Sequence, residues 1–118
     1  MASIPSGSTL RILSQGSTPN VGYVNFLLSG TYTAADFTIA ASDGLGFNPV
    51  RARVLNLTDR TETEGVSGLT SGLKSVAAGT RTYAAHGITF GKKSLTVDVS
   101  VAGPVTDNDT AMIEVWGS

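Results

Sequence analysis

Apolar and polar residues alternate with a period of two along much of the chain, which is the signature of strands with one face on a core. The cleanest run is Leu95-Thr96-Val97-Asp98-Val99-Ser100-Val101, with four aliphatic side chains on one face and polar ones on the other. Residues 111–116 alternate less cleanly, because Met112 and Trp116 share a face with Glu114. That pattern predicts a strand covered on both sides, the second cover being a neighbouring subunit. Tyr23-Val24-Asn25-Phe26-Leu27-Leu28 is nearly continuous and predicts a central strand. The segment 50–58 changes phase between Val54 and Leu55, which predicts a β-bulge at that point. Weaker strands are predicted over 9–13, 37–41, 73–77, 81–84 and 88–90.

Turn formers separate these runs: Asp43-Gly44, Gly65, Gly68, Gly72, Gly79, Gly91 and Gly103-Pro104, with Asp107-Asn108-Asp109 as a polar turn before the last strand. Thr33 could cap a helix through Ala34-Ala35-Asp36-Phe37, limited to about two turns by the Thr and Ile that follow. The expected fold is all-β, a single-domain antiparallel β-sandwich or squat β-barrel over residues 9–118. Residues 1–8, with Pro5 and Gly7, are expected to form an N-terminal arm laid across a partner.

Composition narrows the function classes. A chain of 118 residues suits one domain, and Gly, Ser and Thr make up more than a third of it. Eight basic and nine acidic side chains leave a net charge of −1, with no field to draw the protein to nucleic acid. Lys92-Lys93 is the one adjacent basic pair and is expected to flank a hairpin turn. The absence of cysteine excludes disulfides, thiolate zinc sites and cysteine nucleophiles. Neither a secretory signal nor a membrane-spanning run is expected, and the chain is read as made in the cytosol.

Candidate chemistry is sparse. The single histidine, His86, sits in Tyr83-Ala84-Ala85-His86-Gly87 and is expected as an exposed turn residue. No nucleophile elbow, zinc-protease motif or phosphate loop occurs. Glu62 and Glu64 share a face if they lie on a strand, but a glycosidase pair would need an aromatic-lined cleft. Asp107, Asn108 and Asp109 could offer oxygens to Ca²⁺, short of the roughly six to eight a full site requires. The expectation is no enzyme and no cofactor. More informative are Arg51, Arg53 and Arg60 beside Asp59, Glu62 and Glu64, which place both signs of charge together, for pairing within the sheet or across a subunit contact. Ile4, Pro5, Arg51, Arg53, Arg60, Glu62, Glu64 and Trp116 are the candidate interface residues.

A family resemblance adds to this. Gly46-Phe47-Asn48-Pro49-Val50-Arg51-Ala52-Arg53-Val54-Leu55-Asn56-Leu57-Thr58-Asp59-Arg60 resembles a pattern in small virion proteins of tailed bacteriophages. There a Gly-Phe-x-Pro turn feeds a strand that ends in Asn-x-Thr-Asp-Arg. Ala78-Gly79-Thr80-Arg81-Thr82-Tyr83 and Ile113-Glu114-Val115-Trp116-Gly117 look like the same group. The chain departs from the pattern where Glu64 is followed by Gly65-Val66-Ser67-Gly68 rather than by Trp. The resemblance implies a capsid decoration, or cement, protein on the outer capsid surface of the virion, made in the host cytoplasm. Its partner would be the major capsid protein, and a homo-oligomer, often a trimer, would suit a symmetric lattice. The alternatives are another virion component (tail, head-completion or fibre-base) and a carbohydrate-binding module, for which Tyr32, Tyr83 and Trp116 would have to line one exposed face.

Overall fold

The computed structural model describes residues 4–17, 21–75, 80–101 and 103–118. Within them lie ten strands: β1 (Ser8–Ser17), β2 (Gly22–Gly30), β3 (Phe37–Ala40), β4 (Pro49–Asn56), β5 (Glu62–Val66), β6 (Ser71–Ser75), β7 (Arg81–Ala85), β8 (Ile88–Gly91), β9 (Ser94–Val97) and β10 (Ala111–Gly117). One three-residue 3-10 turn, Ala41–Asp43, interrupts them. Seven strands form a sheet in the order β1-β2-β10-β4-β5-β6-β7, and three form a second sheet, β3-β9-β8. Every pairing is antiparallel. Both sheets keep open edges, so the architecture is an antiparallel β-sandwich and not a closed barrel.

The core lies between the sheets. Val24, Phe26 and Leu28 of β2, Ala52 and Val54 of β4, and Ala111, Ile113 and Val115 of β10 point inward from the large sheet. Phe37, Ile39, Ile88, Leu95 and Val97 meet them from the small sheet, and Leu45 and Val105 come from connecting loops. Each large aliphatic or aromatic side chain buried there contributes about 1.5–3 kcal/mol. Lys92 and Lys93 occupy the two-residue turn between β8 and β9, with Lys93 at φ 49°.

Three local expectations need correction. In β4 the inward positions Ala52, Val54 and Asn56 keep a single phase, so nothing changes between Val54 and Leu55. The inward Asn56 imitates a phase change because a polar residue takes a core position. The bulge in β4 is at Val50, where β10 pairs Trp116 with Arg51 and then Gly117 with Pro49; a second bulge places Leu13 between Ile12 and Ser14 of β1. The run from Leu95 ends as a strand at Val97. Asp98 turns the chain by accepting from both the backbone N–H (2.9 Å) and the hydroxyl (2.6 Å) of Ser100. Residues 33–36 form no helix; Asp36 and Asp107 accept from the backbone of Val99 and Ala34 instead.

β5, unforeseen as a strand, sits inside the large sheet. Residues 1–3 of the expected arm lie outside the described residues, as do residues 76–77 of the strand expected over 73–77. The rest of the arm rests on its own chain: Pro5 is buried, Ile4 packs against the core, and the Pro5 carbonyl accepts from Ser8 N (3.0 Å) and Oγ (2.5 Å).

Candidate functional site: the outer face of the large sheet

The small sheet covers one face of the seven-stranded sheet, and no element of the described chain covers the other. Alternation puts Tyr23, Asn25 and Leu27 of β2, Met112, Glu114 and Trp116 of β10, and Arg51, Arg53 and Leu55 of β4 on that outer face. Register stacks them into three rows. Tyr23, Trp116 and Arg51 are cross-strand neighbours, as are Asn25, Glu114 and Arg53, and Leu27, Met112 and Leu55. From β5, Glu64 extends the second row and Glu62 the third.

The members of the aromatic row are in contact. The Tyr23 and Trp116 ring centroids are 5.5 Å apart at 45°, and the Arg51 guanidinium lies 4.5 Å from the Trp116 centroid. A cation over an indole face contributes about 0.5–1 kcal/mol when exposed and more when desolvated. In the middle row Arg53 Nε donates to Glu114 Oε1 at 2.9 Å, and Nη2 reaches the same oxygen. The Tyr23 hydroxyl donates to Glu114 Oε2 at 3.0 Å, and Glu62 stands 3.8 Å from Arg53. Burial opposes the charge on Arg53, but Glu114 and its acidic neighbours outweigh it and hold the guanidinium above its ordinary pKa. Burial and the adjacent Glu114 push the Tyr23 phenol up. The face is therefore set in place before any partner arrives.

Asn25 is the exception within this order. It is only 7% exposed, and its Oδ1 has no hydrogen-bond partner, alone among the buried side-chain polar atoms of the described residues. A buried acceptor left unpaired costs about 1–3 kcal/mol.

The structure thus brings five of the eight candidate interface residues to one face: Arg51, Arg53, Glu62, Glu64 and Trp116. Arg60 stands apart in the β4–β5 turn at φ 64°, its N–H bonded to Asn56 O, while Ile4 packs against the core and Pro5 is buried. Sequence reasoning missed Tyr23 and Asn25 as site residues, although their places in an apolar run that alternates around Val24 and Phe26 mark them as one face. The rings of Tyr32, Tyr83 and Trp116 do not line a common face: Tyr32 is buried, and Tyr83 is 69% exposed on β7.

The groups considered for chemistry are engaged elsewhere. His86 is buried at 4% exposure, not exposed as expected. Its Nδ1 accepts from Ile88 N–H (2.9 Å), which leaves Nε2 to donate to Leu69 O (2.6 Å). A cavity of about 300 Å³ beside it, lined by Thr70, Thr89, Asp98 and Val101 among others, therefore meets an imidazole with both nitrogens occupied. Asp109 Oδ2 accepts from Asn56 Nδ2 (2.7 Å), Thr106 N (2.9 Å) and Thr106 Oγ1 (2.7 Å). Asp107 and Asn108 accept from the backbone of Ala34 and Tyr32. This turn is a clamp between the loop after β2, the end of β4 and the start of β10. Among the described residues no group of three His, Cys, Asp or Glu could hold a metal ion, and no helix is long and apolar enough to cross a membrane.

Fold and face together define an all-β two-sheet domain with one open, preorganised sheet face. Comparison with protein-family models, curated proteins and solved structures found no match.

Proposed function

We propose that the protein is a structural virion component, a capsid decoration protein of the kind found in tailed bacteriophages. In this reading it fastens to the outer surface of the major capsid lattice and stabilises the shell by binding alone. The observation that carries the binding half is the outer face of the large sheet, where Trp, Tyr and Arg stand in ordered rows with nothing over them. These residue types dominate the energetics of protein contacts. The virion half rests on the resemblance of residues 46–60 and 113–117 to phage virion proteins.

Stabilisation needs no chemistry under this reading. A protein that binds the assembled shell and not its dissociated subunits shifts the equilibrium toward the shell by mass action. The engaged state of His86, Glu114 and Asp109 supports a non-enzymatic role. Electron microscopy of the purified virion is the test. Density for this chain at repeated positions over the outer capsid is the expected result; density confined to the tail rejects the reading in favour of another virion component.

A further inference from the structure

We propose that Arg51 is the charged anchor of the outer face, and that it receives an aspartate or glutamate side chain set among apolar residues of the capsid subunit. This deepens the preceding reading by naming the chemistry of the partner, and it rests on that reading.

The two arginines of β4 differ in how far their charge is already answered. Arg53 is half-buried, bonded to Glu114 and 3.8 Å from Glu62. Glu64 adds to the negative potential around it. Arg51 is exposed, and among the described residues its guanidinium makes no hydrogen bond and no ion pair. What holds it is the Trp116 ring, 4.5 Å away, which is in turn flanked by Tyr23. A guanidinium resting on an indole is kept in place while its N–H donors stay available.

The surroundings of this cation are apolar. Val66, which faces Arg51 across the β4–β5 pairing, is 42% exposed, and Val50 is 46% exposed. Val50 owes its place to the bulge. The inward phase of Ala52 and Val54 would otherwise turn it to the core, and the extra residue turns it out beside Arg51. Two exposed valines and two rings around one unpaired cation have the make-up of an interface anchor, where apolar neighbours keep water from a charge pair.

Complementarity then selects the partner group. The planar fork of an arginine matches a carboxylate, which it binds through two parallel N–H···O bonds. The adjoining rows carry Glu114, Glu64 and Glu62. They oppose a run of phosphates, so a nucleic-acid backbone or an anionic lipid surface does not fit, whereas a single carboxylate among apolar side chains does.

Shells assembled from the major capsid protein alone are the probe, with the full chain titrated onto them by co-sedimentation. The expected result is saturable binding that Arg51→Gln weakens about tenfold or more. Arg51→Lys, which keeps the charge but not the fork, should weaken it less. Arg60→Gln removes the same charge from the β4–β5 turn, away from the face, and should bind as wild type does. All three positions are exposed, so the thermal melts should match. The amine introduced by Arg51→Lys gives a second readout. Zero-length carbodiimide coupling should join it to an aspartate or glutamate side chain of the capsid subunit, at a position where the wild type forms no link. Equal binding by Arg51→Gln and wild type overturns the proposal, and so does equal weakening by Arg60→Gln, the mark of diffuse attraction. Coupling to a chain-terminal carboxylate, or no coupling from a bound Arg51→Lys chain, overturns it as well. A wild-type chain that binds no shell overturns the decoration reading and this inference with it, whereas binding indifferent to Arg51 overturns the inference alone.

Discussion

Asp109 and Tyr32 show how single residues carry the fold's response to pH. Burial works to raise the Asp109 carboxyl, but hydrogen bonds from Asn56 and Thr106 outweigh it and hold the group below its ordinary 3.8. A carboxylate depressed in the folded state stabilises the fold above its unfolded pKa and loses that contribution as pH falls through the folded one. Asp109→Asn should therefore cost about 1–3 kcal/mol near neutrality, with the gap to wild type narrowing below pH 4. Urea midpoints measured across the acid range check this. The Tyr32 phenol, donating to Asp109 O at 2.5 Å, is pushed up to about 12 by burial and by Asp109 and Asp107. Its contribution is complete below pH 10 and lost as pH rises through 12, so Tyr32→Phe should flatten the alkaline limb of urea midpoints measured from pH 8 upward. The core makes a simpler case. Val97 is fully buried between both sheets, and Val97→Asp places an unpaired carboxylate there at a cost of several kcal/mol, on the order of the whole stability. A cooperative thermal melt at the wild-type temperature would contradict it. Val97 was legible from alternation alone. His86 was not, because a histidine between Ala85 and Gly87 carries no sign that two glycines on other strands leave it a cavity.

Those glycines act at the scale of elements. Gly65 on β5 and Gly72 on β6 face inward, and a Cβ on Gly65 would stand 3.0 Å from the His86 ring. The imidazole fills the volume that two aliphatic side chains would otherwise occupy. This is why β5 escaped prediction: Glu62-Thr63-Glu64-Gly65-Val66 turns Thr63 and Gly65 inward, so the core face of the strand shows no hydrophobic period. Strands whose core is supplied by their own side chains, β2, β4 and β10, were legible; the one whose core comes from elsewhere was not. Gly72 also brings β6 close to β5, since a Cβ there would lie 1.8 Å from Glu64 O. Gly72→Ala must move backbone, and the expected result is a loss of about 1–3 kcal/mol. Amide hydrogen exchange should localise the loosening to β6 and β7, leaving β2 and β10 protected.

For the whole molecule, strand order determines where stability is concentrated, and no local pattern encodes that order. Charge clustering pointed to Arg51, Arg53, Glu62 and Glu64, but their union with Tyr23, Asn25 and Trp116 required β10 to lie between β2 and β4. The last strand in sequence is thus near the centre of the large sheet. It supplies Ala111, Ile113 and Val115 to the core and Glu114 and Trp116 to the outer face. Without it β2 and β4 have no bridge, because they pair with β10 and not with each other. A chain ending at residue 110 is therefore expected to have no cooperative urea transition and no dispersed amide spectrum, a much larger effect than the loss of an edge strand. Removing β7, exposed along its length and paired only to β6, should leave a folded domain. If both truncations behaved alike, the central place of β10 would be wrong. The same topology makes folding slow for this size, since the pairing of β2 with β10 must wait for residues about ninety positions away, and all-β domains of high contact order fold in about milliseconds to seconds. Stopped-flow refolding should place the chain in that range, with Ile113→Val, if β10 docks late, speeding unfolding more than it slows folding.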